Sequence, residues 1–507
     1  MNGSDTSYLR NWLTVGVLSA LGVAAGVGAQ TAMAWRFGTS AQLDAFYVAF
    51  LLASYLPIVY QSAVADPLVP AYCKAEAPDR FAASVLALTL IVGALAGVAL
   101  LLLQRVVVAA VSPGFSPAQA AMARADLRVL APIPLFYAAA FCLTGVLAAQ
   151  KRFFVARSSV MIVPAAQCLG ILFGARWGMA ALVWSTVAGY FLYAFALWVS
   201  AGLINPFGAK WSDLRSPSMR LMVVVGLPMT VTIATGSLHA FIDRAMSSRL
   251  GPGSISTLAY AEKLNNVICV VFLVPITFVA LPYLSEAVAR PEFVKVYLAN
   301  VRAVLLVFIP AAVFAGGLAV PLVDMALRRG GFNPHDVARV AAAFSAYMVG
   351  LPFFAVAGLT GRAFVAAGKT WFLAVAAPAA LVLKFGLNLV LMKRYDVAGA
   401  ALATSAGYIV FSLVTLAALL SVQELRSLGR EVPHLMFGTA AAVAAYFVAR
   451  LPMAAYAMPL SLPRRILIVG GSAAAFVTVY GVLVGGYYYL MLRGSKAASV
   501  SSSGPLP

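Results

Sequence analysis

Charge is what this chain has least of. Charged residues fill 10% of its 507 positions, against about 25% in a soluble domain, so a water-exposed globular surface is excluded. Histidine is scarcer still: His239, His335 and His434 are the only three, too far apart to form a zinc motif. The four cysteines, Cys73, Cys142, Cys168 and Cys269, show no metal-ligand spacing and fall mostly in apolar sequence. They read as small apolar residues, not as disulfides or ligands. No Ser/His/Asp arrangement stands out. Gly368-Lys369-Thr370 suggests a nucleotide loop, but the upstream glycine, Gly361, is too far away and Ala363 stands where a glycine is required. The sequence points to no enzyme, no cofactor and no metal.

What it has instead is apolar length. Hydrophobic residues make up 63% of the chain and mean hydropathy is +0.94. The apolar runs reach about 20 residues or more, enough to cross a ~30 Å hydrocarbon core as helices. A membrane β-barrel would alternate in segments of about ten. An all-α integral membrane protein follows, because lipid leaves the backbone to satisfy itself. The net charge of +19 sits mainly between apolar runs, where it reads as topology and contact with anionic lipid headgroups, not nucleic-acid binding.

Fourteen candidate spans can be drawn, at 12–35, 43–72, 81–110, 125–150, 155–175, 177–202, 217–249, 253–287, 296–328, 337–366, 370–392, 397–422, 433–456 and 464–492. The first run precedes Thr31-Ala32-Met33-Ala34, which imitates a signal cleavage site, but the run is too long for a signal peptide and is read as a retained span. A modest excess of Lys and Arg puts both termini in the cytoplasm. The serine-rich stretch after Leu492 reads as a disordered tail.

The chain also repeats itself. Arg36-Phe37-Gly38, Tyr47 and Leu68-Val69-Pro70 are echoed by Arg249-Leu250-Gly251, Tyr260 and Ala280-Leu281-Pro282. Leu143-Thr144-Gly145, Lys151 and Pro164 are echoed by Leu359-Thr360-Gly361, Lys369 and Pro378. The offset covers six spans, an even number, so the copies enter the membrane in the same direction. That predicts two six-helix lobes (1–205 and 206–425) as parallel repeats around a central cleft, then two C-terminal helices (426–492) and the tail (493–507). Secondary transporters are built this way, with substrate held between the halves. Such a unit needs no partner chain, so a monomer is expected. Pro57, Pro67, Pro132, Pro134, Pro275 and Pro352 lie inside spans, where they bend helices as fixed shape or as hinges.

A charge in the membrane costs at least ~2.5–3.5 kcal/mol, so each needs a partner, water or a function. Span 1 carries Gln30, span 2 Asp44, Gln61 and Asp66, span 7 His239, Asp243 and Arg244, span 8 Glu262, Lys263, Asn265 and Asn266, and span 11 Lys384 and Asn388. One reading pairs Asp243 with Arg244 or Lys263. The other notes that most of these residues sit in the first two helices of each repeat and would line the cleft. Arg244 and Lys263 suit an anionic lipid headgroup, by bidentate bonds and by point charge. Asp44, Asp66, Asp243 and Glu262 leave an ion-coupled exporter of cationic compounds open.

Three stretches resemble the MviN/MurJ-type lipid II flippases, relatives of MATE exporters and polysaccharide flippases. They are Phe37-Gly38 with Leu43-Asp44-Ala45-Phe46-Tyr47-Val48-Ala49-Phe50 and Leu68-Val69-Pro70; Gly253-Ser254-Ile255-Ser256 with Tyr260-Ala261-Glu262-Lys263-Leu264 and Leu281-Pro282; and Arg329-Gly330-Gly331-Phe332 through Asp336-Val337, Ala346-Tyr347, Gly350-Leu351 and Ala366. The resemblance implies a 14-helix fold and movement of an undecaprenyl-pyrophosphate-linked saccharide between leaflets, with or without a coupling ion. It implies cavity roles for Asp44 and Ser256, and puts Lys263 where the family has arginine. Val23, Ala29 and Leu56 or Pro57 stand where the family has further arginines, Gln30 where it has aspartate, and Gln61 and Asn266 where it has glutamates. A related exopolysaccharide unit is therefore as good a cargo as lipid II. A non-transporting scaffold for envelope synthesis is the third reading.

Overall fold

The computed structural model describes residues 3–273, 276, 284, 293–366, 371–420, 424, 429, 431–456 and 461–501. These residues are almost wholly helical, with no strand among them. Nine described helices are long and apolar enough to cross a membrane, ten if one bent pair counts as a span. Of the expected elements, Pro275, Lys369 and Leu281-Pro282 lie outside the described residues. By contacts the chain divides into two compact units. The first holds Met1–Val267, Leu327–Arg339 and Ala377–Ala400; the second holds Ile268–Ala326, Val340–Ala376 and Ala401–Pro507.

The first unit opens with α1 (Gly3–Phe37), α2 (Ala41–Cys73) and α3 (Pro78–Val111). Next come α4 (Pro117–Leu130), α5 (Ile133–Ala149), α6 (Phe153–Ser158), α7 (Ile162–Phe173) and α8 (Met179–Ser200). Then follow α9 (Pro217–Ser247) and α10 (Ser254–Ile268). Starts are set by caps. Ser116 caps α4 through a reciprocal bond with Gln119, and Ser216 accepts from Met219 N–H at the head of α9. Both are followed by proline at the first helical position, where the missing N–H costs nothing. Expected span 4 is two helices bent by 46° at Pro132, as proline's lost hydrogen bond dictates. Small residues let helices touch: a methyl on Gly145 of α5 would stand 2.8 Å from the Ala65 carbonyl of α2, and one on Gly226 of α9 would stand 2.6 Å from that of Ala63.

Further along the chain lie α11 (Phe293–Gly317), α12 (Ala319–Leu327), α13 (Pro334–Ala366), α14 (Trp371–Leu419), α15 (Val432–Arg450) and α16 (Leu462–Ser501). In the second unit α15 presents Ala442, Ala445 and Ala449 to Phe476 of α16, and the Tyr480 hydroxyl donates to the Leu306 carbonyl of α11 at 2.7 Å.

Spans 11 and 12 are two helices that meet at a break. α14 runs through both and breaks at Asp396, with φ 51° and ψ −138°. As a straight helix its 49 residues would reach about 74 Å, more than twice the core. α16 continues to Ser501, past Leu492. Lys496-Ala497-Ala498 are good helix formers that extend an existing ladder.

Candidate functional site

The site is built on the loops and first turns of the repeat, all within the first unit. Gly38 ends α1 with φ +57°, and Gly251 precedes α10 with φ +102°. These are equivalent positions of the sequence repeat, and both need the positive φ that glycine adopts freely. The chain can therefore turn sharply into α2 and into α10.

Asp44, in the first turn of α2, reaches the head of α10. Its carboxylate accepts the N–H of Gly253 at 2.6 Å and of Ser256 at 2.7 Å. Two otherwise orphaned helix donors are satisfied by an anion at the positive end of the helix dipole. Asp44 is 1% exposed and Ser256 0%. Buried there, they lock two helix starts together.

More bonds close the same end. Thr39 donates to the Asp336 carboxylate, and Gly331 N–H donates to the Trp35 carbonyl at 2.7 Å. The Tyr260 hydroxyl donates to the Gly38 carbonyl at 3.2 Å, and its ring packs edge-on against Phe332. Arg339 donates to the Ser254 hydroxyl and to the Asp396 carboxylate, each at 3.0 Å. Of these, Asp336 is marked in the sequence only by the resemblance, and Thr39, Arg339 and Asp396 do not stand out, because polar residues near the ends of spans carry no periodic signal.

Below this lock lies a polar centre. The Tyr47 hydroxyl donates to Gln30 at 2.8 Å, and the ring meets Tyr260 edge-on at 6.5 Å. Tyr47 and Tyr260 are repeat-equivalent, which was the available sign that they meet. The Arg244 guanidinium lies 6.0 Å from the Tyr47 ring centroid and donates to Glu262 at 3.4 Å. Arg244 is 8% exposed, and its Nε and Nη1 have no partner among the described residues. Lys263 follows Glu262 on α10 and turns towards α1, its Nζ 3.4 Å from where a methyl on Gly26 would stand.

The ion pairs differ from those expected. Asp243 pairs with Lys384 of α14 at 2.7 Å, not with Arg244 or Lys263. Consecutive residues on a helix point about 100° apart, so Asp243 and Arg244 face different neighbours. Glu262 and Asn266 are exposed and Gln61 is half-buried. Gln61 lies 14 residues beyond Tyr47 on α2, about 21 Å along the axis, and is outside this cluster. The Asp66 side chain lies outside the described residues.

The arrangement combines a closed, hydrogen-bonded end with a buried cationic centre whose guanidinium has donors to spare. It can hold an anion inside a membrane, and no cluster of metal-binding side chains occurs among the described residues.

Comparison with known proteins follows the same line. Residues 33–467 match the family described as Lipid II flippase MurJ. The lipid II flippase MurJ of Burkholderia cenocepacia is 26% identical over 366 residues, covering 68% of this chain and 70% of that protein. A probable lipid II flippase MurJ of Rhizobium meliloti is 24% identical and covers 98% of both chains. Among solved structures, a lipid II flippase MurJ in an inward closed conformation matches with a TM-score of 0.81 at 18% identity, covering 95% of this chain and 100% of that one. An inward-facing MATE family transporter of the MOP superfamily matches with a TM-score of 0.62 at 14% identity, covering 79% and 93%. With its family match spanning most of its length, the chain belongs to the MurJ family of lipid II flippases.

Proposed function

We propose that this protein is a flippase that carries an isoprenoid-pyrophosphate-linked saccharide, lipid II or a related envelope precursor, from the inner to the outer leaflet. The observation that carries this reading is Arg244, buried with two guanidinium nitrogens unpartnered among the described residues. A guanidinium in low dielectric needs an anion, and a pyrophosphate accepts its fork in bidentate fashion. The same charge repels a cationic drug.

In this reading the chain crosses the bacterial inner membrane 14 times as two six-helix repeats plus two further helices, with both termini cytoplasmic. The lock around Asp44, Asp336 and Arg339 then closes the outer end, and the centre is reached from the cytoplasm. Alternating access requires that lock to break when cargo has arrived. Hydrogen bonds at the tips of helices suit this role, since a few of them hold the end and no large apolar core must separate.

The test is mass spectrometry of isoprenoid-pyrophosphate saccharides in cells lacking the protein, with and without complementation. Accumulation of one species on depletion, relieved by the parent and not by Arg244→Ala, is the expected result. No accumulation of any species, in cells without a second flippase, overturns the reading.

A further inference from the structure

A groove of about 690 Å³ runs between α3, α5 and α8, away from the cationic centre. Its walls are apolar. Leu86 and Leu90 come from α3, Phe136 and Leu143 from α5, and Phe191 and Trp198 from α8. The aromatic rings form a ladder along one wall. Phe136 meets Phe191 edge-on at 5.4 Å, Phe191 stacks on Phe195 at 6.0 Å, and Phe195 tilts against Trp198 at 6.2 Å. From Phe136 to Leu143, and from Phe191 to Trp198, the helices rise about 10 Å. That length fits inside one leaflet of ~15 Å, half the hydrocarbon core.

The connection that leaves α8 forms a lip over one end. Gly202 and Leu203 take φ of 84° and 54°, folding the chain back, and the Trp198 indole donates to the Ile204 carbonyl at 2.8 Å. Left-handed backbone is strained at a leucine, so this fold is held by its contacts. It places Leu203 and Phe207 on the rim, 53% and 96% exposed. Apolar groups bared beside an apolar groove mark a place that hydrocarbon covers. Asn205 is the polar exception, and its side-chain oxygen already accepts the Phe207 N–H at 3.0 Å.

Two cations are anchored beside this end. The Arg152 guanidinium donates to the carbonyl of Ser200, two residues past Trp198. The Lys210 N–H donates to the hydroxyl of Ser84, two residues before Leu86, and its carbonyl accepts from that hydroxyl at 3.4 Å. Both side chains are exposed. The carboxylate on the same connection, Asp213, is engaged by Arg80 at 3.2 Å and by Ser84 at 3.1 Å.

We propose that this groove seats one membrane phospholipid with an anionic headgroup. An acyl chain lies between α3, α5 and α8 beneath Leu203 and Phe207, and the phosphate meets Lys210 and Arg152. Charge complementarity selects this occupant. An uncharged chain would leave both cations unused, whereas a phospholipid carries hydrocarbon and phosphate in the order in which wall and cations follow each other. The seated lipid ties the connection between the two repeats to α3 and α8, and so steadies the head of α9. The site stands independently of the cargo and of which leaflet this end faces.

The test is photolabelling of the full chain in phosphatidylcholine nanodiscs. The probe is a trace of phosphatidylglycerol, or of phosphatidylcholine, with a diazirine midway along one acyl chain, and labelled peptides are mapped by mass spectrometry. The phosphatidylglycerol probe should label 136–143 and 191–207 more strongly than the phosphatidylcholine probe, by about fivefold for each of the two cations. Lys210→Gln keeps both backbone bonds to Ser84 and should cut that preference by roughly fivefold. Arg152→Lys keeps the charge and should retain it. Leu90→Trp fills the groove and should remove the label there while leaving labelling of α16 unchanged. If Leu90→Trp does not fold, the exposed change Lys210→Gln decides. Equal labelling by the two probes overturns the proposal. So does label spread evenly over the exposed faces of all helices, the mark of an unselective lipid shell. Displacement by undecaprenyl phosphate at lower concentration than by unlabelled phosphatidylglycerol also overturns it, since the groove would then belong to an isoprenoid chain.

Discussion

Asp44 and Ser256 are 212 positions apart in sequence, yet the Ser256 N–H sits 2.7 Å from the Asp44 carboxylate. One side chain from the first repeat thus caps a helix of the second. Two bonds to a buried carboxylate are worth about 1.5–3 kcal/mol each. Asp44→Ala should loosen this end by several kcal/mol. A Thr257→Cys reporter, buried in the parent at 0% exposure, should then react with an impermeant maleimide at least tenfold faster. Asp44→Asn should fall between the two, since an amide accepts one bond less well and carries no charge to meet the helix dipole.

Gly38 carries a second, purely steric expectation. Its φ is +57°, and a methyl there would run into the carbonyl oxygen of Gly331. Left-handed backbone alone costs a non-glycine residue about 1–2 kcal/mol, before the collision is counted. Gly38→Ala should lower the unfolding temperature in detergent. Gly361→Ala has open space around it and sits in helix α13, where alanine is favoured by about 1 kcal/mol; it should leave that temperature unchanged or raise it.

Much of this was legible in the sequence, and the boundary is physical. Apolar runs located helices because hydrophobic length is written locally. Gly38 and Gly251 were legible as repeat partners because the same turn demands the same residue. Arg244, Lys263, Asp243 and Lys384 were legible as costly charges in lipid. Their pairing was not, since the Asp243 partner lies 141 positions away and no local rule reaches that far. Asp44 was legible as important, yet its use as a cap on α10 depends on where two distant helix starts meet. Arg339 and Asp396 gave no signal, the one in the first turn of expected span 10 and the other between spans 11 and 12, where charges are ordinary.

The cationic centre makes an asymmetric prediction. Arg244 is buried and offers a planar fork, so Arg244→Lys keeps charge and loses bidentate geometry. A lost charge-assisted contact of about 1.5–3 kcal/mol corresponds to roughly 10- to 150-fold in binding. Arg244→Ala should reduce flipping of a labelled pyrophosphate lipid in proteoliposomes by that order, with Arg244→Lys recovering part of it. Lys263→Arg should retain activity. Equal activity of Arg244→Ala and parent would remove Arg244 from the site.

Arg339 separates a surface ion pair from a buried polar bond. Its partner Asp396 is 51% exposed, and an exposed pair contributes about 0–1 kcal/mol. Its other partner, Ser254, is 0% exposed, and a buried hydroxyl left unsatisfied costs about 1–3 kcal/mol. Asp396→Asn keeps a residue type that tolerates φ 51° and removes only the charge, so its effect on unfolding should stay within about 1 kcal/mol. Arg339→Ala should cost more, and Ser254→Ala added to Arg339→Ala should restore part of the loss by removing the unpaired hydroxyl. If Asp396→Asn is as damaging as Arg339→Ala, the ion pair and not the Ser254 bond holds this end of α10.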